Sequence, residues 1–343
     1  MTELAQTQPV SVRSPGWRPE LVPIALFAAF AAAPFFASAS GAEGYVLSLL
    51  TRVMIFGIAA MSLDLVLGYG ALVSFGHAAF LGIGAYSVGI LASHGVEEAL
   101  IQIPLALAAS AAFAAVTGAI SLRTKGVYFI MITLAFGQML YFLATSLAAY
   151  GGDDGMTLPS RSLVAGLPLL KSDAAFYWVS LLCLLAAYAL SRAIVASRFG
   201  RVLRGSKENA ARMEAIGFHP FRYQLAAYVI SGMMAGLAGC LMANQAEFVS
   251  PAFMTWQRSG ELIFMVVLGG LGSLHGAIVG AALFLLLEEF LPEILHAASF
   301  MMDESFRSHL AENWKMVFGP LLIVIVLFAR GGIMGLLRRG HHG

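Results

Sequence analysis

Few side chains here could do chemistry, and most of those sit in apolar surroundings. Asp64 and Arg52 fall within one apolar run between Tyr45 and Leu67. An ionisable group in such a run is costly, so each either makes a polar contact with a neighbouring run or lines a path for a zwitterionic solute. About three helical turns separate the two, so they do not pair directly on one helix. His77 stands among Gly68, Gly70, Gly76, Gly82, Gly84 and Gly89, close to Ser74. It can carry a proton or hold a structural hydrogen bond. Gln138 and Tyr141, in a later run, can line a path or bond between helices; Glu288 and Glu289 beside Pro292 read as solvated at an interface. The functional reading of this set is a path for a polar solute; the plainer reading is polar contact between helices. The motifs of bond-breaking chemistry are missing: no G-x-x-x-x-G-K-[ST], no H-E-x-x-H, no G-x-S-x-G. If ATP drives the protein, another chain must hydrolyse it. Cys183 and Cys240 lie in separate apolar runs and read as small buried hydrophobes, so neither a metal site nor a cofactor is expected.

The most polar stretch is SRFGRVLRGSKENAARMEAIGFHPFRYQ, starting at Ser197. Arg198, Arg201 and Arg204 recur every third residue around Phe199, Val202 and Leu203. That pattern suits a helix lying on an anionic membrane surface, apolar side down. The run from Glu208 to Ile216 predicts a helix of about ten residues stopped by Gly217. A helix that short persists only by packing on something. Ala210, Ala211 and Ala215 permit close approach to a partner, and Glu208, Arg212 and Glu214 can fix its orientation; an ordinary solvated loop is the plainer reading.

Composition says what must position these residues. Of 343 residues 59% are hydrophobic and only 11% charged, against about 25% charged in a soluble domain. Such a chain cannot cover a water-facing surface but can cover one that faces lipid. The net charge of +1 suggests no nucleic-acid partner. Apolar runs long enough to cross a bilayer fall near 21–38, 45–67, 72–93, 100–121, 127–149, 175–196, 223–244, 275–291 and 315–330, with a shorter one at 261–272. The expected fold is an all-α, polytopic transmembrane helix bundle of about ten membrane segments. Lys and Arg set its direction. The basic stretch from Arg192 to Arg222, the turn with Arg123 and Lys125, Arg13 and Arg18, and Arg330, Arg338 and Arg339 are placed in the cytoplasm. Glu43, Glu97, Glu98, Asp153, Asp154, Asp173, Asp303, Glu304 and Glu312 take the other side. That separation holds only if the chain breaks at Gly269-Gly270-Leu271-Gly272-Ser273, leaving a short or broken segment near 261–275. Arg13, Arg18 and Ala37-Ser38-Ala39 resemble a signal peptide; an uncleaved first span is expected.

The loop and four other stretches carry a family resemblance. Glu208, Ala210, Ala211, Glu214, Ala215 and Gly217 resemble the EAA-type coupling loop of ABC importer membrane subunits. Leu67-Gly68-Tyr69-Gly70 leads into Ser74-Phe75-Gly76-His77-Ala78-Ala79-Phe80-Leu81-Gly82, and Leu122-Arg123-Thr124-Lys125-Gly126 follows at a turn. Gly151-Gly152-Asp153-Asp154-Gly155 and Val266-Val267-Leu268-Gly269-Gly270 come later. In this order they resemble LivM-type permease subunits of branched-chain amino acid ABC transporters, roughly from Val53 to Glu289.

The resemblance implies a bacterial inner-membrane permease with no catalytic residues. Its implied partners are a LivH-like second permease, two cytoplasmic ATPases and a periplasmic binding protein. The expected division is a cytoplasmic segment 1–20, a permease domain 21–331 with its coupling loop at 197–222, and a cytoplasmic tail 332–343. ATPase coupling falls to Glu208, Ala210, Ala211, Glu214, Ala215 and Gly217, and the candidate path to Asp64, Ser74, His77 and Gln138. The outer acids Asp153 and Asp154, with Arg161, could meet the binding protein. The rivals are an ion-coupled secondary transporter using Asp64 or His77, and a structural or channel-forming membrane protein.

Overall fold

The computed structural model describes residues 21–41, 43–298, 315–328 and 331–339. The expected segment 1–20, Asp303, Glu304, Glu312 and the terminal histidines lie outside them. Thirteen helices run in order among the described residues: α1 Leu21–Ser40, α2 Glu43–Leu67, α3 Ala78–Ser93, α4 Ala99–Ser121, α5 Val127–Ser146, α6 Asp173–Ala196, α7 Arg198–Glu208, α8 Ala210–Ala215, α9 Pro220–Ala246, α10 Trp256–Gly269, α11 Leu274–Ala298, α12 Lys315–Phe328 and α13 Gly332–Arg339. Met156–Thr157 and Phe248–Val249 add a two-residue antiparallel ribbon. Each expected span contains a helix. Five of them, α2, α4, α5, α6 and α9, are long and apolar enough to cross a membrane alone.

α2 is the axis of the bundle. It is apolar all round, which suits a helix enclosed on every side, and every residue from Val53 to Leu67 is buried. It packs against α9, α11, α6, α10 and α1. α9 in turn holds α3 and α4. Small residues let those backbones touch: a side chain at Gly84 would meet the Gly236 carbonyl, and one at Gly239 the Leu81 carbonyl. Tyr177 on α6 fastens α1 by donating to the Phe30 carbonyl at 2.6 Å.

Two spans depart from simple helices. The chain bends by 117° between α10 and α11, at the expected glycine run. Gly270 and Gly272 take φ of +111° and +75°, a region that side chains disfavour and glycine enters freely. α10 is 14 residues long, about 21 Å at helical rise, so it is too short to cross alone. The expected span 72–93 is helical only from Ala78; residues 71–77 contain no helix and lead into α3 from the α2 end.

The loops gather at two ends. Gly68, the turn 122–126, the segment 206–210 and the break 270–273 meet at one end, where Gly332 also lies against Gly270. At the other, Glu98 accepts from the Gly166 N–H at 2.9 Å and Arg161 pairs with Asp173 and Glu247. Among the described residues, the Arg123–Lys125 turn and the basic 206–210 segment therefore share one end, and Glu98 and Asp173 the other. The expected tail holds a helix, α13, over Gly332–Arg339.

Candidate functional site

The basic end carries a projecting element built by local capping. Ser197 accepts from the Gly200 N–H and starts α7. Asn209 ends α7 with an extended backbone and its Oδ1 accepts from the Arg212 N–H at 2.9 Å, starting α8. α8 then closes on Gly217, whose φ is +90°: the Gly217 N–H donates to the Glu214 carbonyl at 2.9 Å and the Phe218 N–H to the Met213 carbonyl at 3.0 Å. Two expectations change here. The helix of about ten residues is divided, because Asn209 competes for the backbone; Glu208 closes α7, and α8 has six residues. And α7 does not lay its apolar side on lipid. Val202 and Leu203 are buried in the protein, Leu203 beside Gly70. Ala210 is half-buried, while Glu208, Ala211, Glu214, Ala215 and Gly217 are exposed. α8 buries none of its residues.

A chain of contacts runs inward from this element. Lys207, one residue before Glu208, donates from Nζ to the Gly68 carbonyl at 2.7 Å. Gly68 lies against Gly272, and a Cβ on it would meet both Asp64 Oδ1 and the Gly272 nitrogen. Asp64 Oδ1 accepts from the Gly272 N–H at 2.8 Å. The end of α7, the end of α2 and the α10–α11 break thus touch in series.

Asp64, Ser74 and His77 are each 0% exposed. Ser62 and Asp64 project from opposite sides of α2, since two residues turn a helix by about 200°. His77 Nε2 and Ser62 Oγ are 2.9 Å apart, whereas Asp64 faces the break. The first residue of α3, Ala78, donates its N–H to Ser259 Oγ of α10 at 3.0 Å, and the Phe75 N–H donates to Thr133 Oγ1 of α5 at 3.3 Å. The polar groups around His77 therefore join α2, the 71–77 segment, α5 and α10 deep in the bundle. Gln138 is half-buried on α5 and is not drawn into this junction.

Two charged readings also change. Arg52 pairs with Glu288 of α11 at 3.3 Å, and Tyr45 donates to Glu289 Oε1 at 2.9 Å, so these glutamates are partnered rather than merely solvated. Arg161 is not free to greet a partner: it pairs with Asp173 at 2.7 Å and Glu247 at 3.2 Å, and stacks 5.0 Å from the Phe176 ring centroid. Arg258 and Glu261 pair at 2.7 Å at the start of α10; from sequence Lys207 reads only as part of the basic stretch, and Arg258 and Glu261 carry no reading. The signal for the last two was an arginine and an acid three residues apart at the head of an unusually short apolar run.

The architecture is a permease-like bundle with an exposed capped loop, and comparison with known proteins decides the family. A family model described as "Branched-chain amino acid transport system / permease component" matches residues 45–327. The chain belongs to this permease family. The permease is 26% identical over 312 residues to the high-affinity branched-chain amino acid transport system permease protein LivM of Salmonella typhimurium, covering 84% of this chain and 69% of the relative. Against LivM of Escherichia coli the identity is 25% over 311 residues, with the same coverage. It is 22% identical over 320 residues to the probable LivM of Methanocaldococcus jannaschii, covering 82% of this chain and 90% of that protein. LivH proteins match a shorter part; the probable LivH of the same archaeon is 26% identical over 163 residues, 46% of each chain. No solved structure matches. The permease is thus a LivM-type multi-pass membrane transport subunit rather than an enzyme.

Proposed function

We propose that this permease is one half of the translocation unit of a heteromeric ATP-binding-cassette importer for amino acids, branched-chain ones in the first place. The basic end faces the cytoplasm of a bacterial inner membrane, which the positive-inside bias supports. A LivH-like permease completes the path, two ATPases dock beneath it, and a periplasmic binding protein delivers the substrate. The observation that carries this reading is the α7–α8 element, capped at both ends of α8 yet burying none of α8. A six-residue helix held so firmly and left so bare suits a socket on another protein. Glu208, Ala210, Ala211, Glu214, Ala215 and Gly217 form that surface. Closure of the ATPases would push it, and the Lys207–Gly68–Asp64–Gly272 contacts would carry the push to the α10–α11 break, a two-state change biased by ATP. The rival, ion-coupled transport through Asp64 or His77, gains no support from two groups with no exposed surface.

The test is uptake of labelled leucine by proteoliposomes holding the full complex, with ATP inside and loaded binding protein outside. ATP-dependent uptake that fails on replacing Glu214 and Gly217 with bulky residues is the expected result. Uptake without ATPase subunits would overturn the reading.

A further inference from the structure

Four charged side chains lie around one ring on the face formed by α2, α10 and α11. Arg52 of α2 pairs with Glu288 of α11, and Arg258 pairs with Glu261 on α10. Both guanidinium groups flank one ring: Arg52 Cζ lies 6.0 Å and Arg258 Cζ 5.9 Å from the centroid of Phe56. Arg52 and Glu288 stand near the middles of two 25-residue helices, roughly 13 Å or more from either helix end. Arg258 adjoins Ser259, which is bonded to the buried start of α3. All four are nevertheless reachable, with side chains 35%, 24%, 30% and 30% exposed in the order Arg52, Glu288, Arg258, Glu261.

A face that exposes two ion pairs along membrane-spanning helices does not border hydrocarbon. The lipid side is recognisable elsewhere: α4, α5 and α6 expose Leu105, Val116, Met139, Phe142, Leu182 and Leu190. The α2–α10–α11 face must then border water or protein. Stability does not account for the charges, since half-exposed ion pairs contribute little. What two cations and two anions around one ring can do is receive a small dipolar ion by exchanging partners. A carboxylate would replace a glutamate on Arg52 or Arg258, an ammonium would take the released glutamate, and the exposed Phe264 ring, one turn beyond Glu261 on α10, would offer apolar contact to a side chain. The net charge of the site is the same empty or filled, so binding need not be tight, which suits a point of passage.

We propose that this quartet is the binding site for the α-ammonium and α-carboxylate groups of the transported amino acid within the membrane. The proposal rests on the amino acid importer reading above and names its site. The test uses the full reconstituted complex, comparing Arg258→Gln and Glu288→Gln with the unaltered protein. Leucine uptake should fall roughly 10-fold to 100-fold, while the subunits still co-purify and loaded binding protein still stimulates ATP hydrolysis. Leucinamide, which lacks the carboxylate, should lose little when Arg258 is replaced. The exchange of Arg52→Glu with Glu288→Arg, which keeps the pair, should assemble and regain part of the uptake lost by Glu288→Gln. Unchanged leucine uptake in intact complexes would overturn the proposal. So would loss of co-purification in both single variants, which would make the quartet a contact with the second permease. Unaltered complex that shows no ATP-driven amino acid uptake would overturn the importer reading, and this site with it.

Discussion

Lys207 Nζ lies 2.7 Å from the Gly68 carbonyl oxygen, bonding the last turn of α7 to the first residue beyond α2. It joins the 197–217 loop to the α2 end, and under the proposed importer mechanism a push on the loop would enter the bundle here. Replacing Lys207 with methionine keeps the length and removes the donor. The expected outcome is about 1 kcal/mol of lost stability and a several-fold fall in uptake per ATP hydrolysed. Parallel assays of uptake and phosphate release check it; an unchanged ratio would show that the bond transmits nothing.

Gly68 admits no side chain. Gly68→Ala would drive a methyl group into Asp64 Oδ1 and the Gly272 nitrogen, and backbone cannot yield as a flexible side chain would. A cost of about 1–3 kcal/mol is expected. Asp64→Leu should cost a similar amount by a different route, leaving the Gly272 N–H without its acceptor, while Asp64→Asn keeps an acceptor oxygen and should cost less. Thermal unfolding in detergent ranks the three; Asn as harmful as Leu would point to a role for the charge itself.

The caps of α8 are separable from its surface. Asn209→Ala removes the acceptor for the Arg212 N–H and should weaken α8 by about 1 kcal/mol. Gly217→Ala must hold a side chain at a φ of +90° and should cost at least as much. Amide exchange over 210–217 should speed up in both variants while α9 stays protected. Equal exchange in variant and parent would mean that packing alone holds the helix.

Arg161 ties the 147–172 loop to the ends of α6 and α9 through Asp173, Glu247 and the Leu170 carbonyl. Arg161→Ala should free that loop, with limited proteolysis cutting within 147–172 and transport only modestly reduced. Its pairs are partly exposed, so raised salt should loosen the same loop in the parent protein.

The sequence by itself determined that the chain spans a membrane repeatedly, which loops share an end and where it breaks. Hydropathy and charge asymmetry are sums over local residues, and the run Gly269–Ser273 announces backbone angles that only glycine adopts readily. The same locality hid the 71–77 segment, whose apolar residues read as helix, and hid Asn209 as a divider of the loop. Tertiary structure decided which side of each helix meets lipid and which meets protein. A helix rotated by 100° keeps its hydropathy and exchanges its neighbours, so no count along the chain could pair Arg52 with Glu288, seat Lys207 on Gly68, or enclose Asp64 and His77.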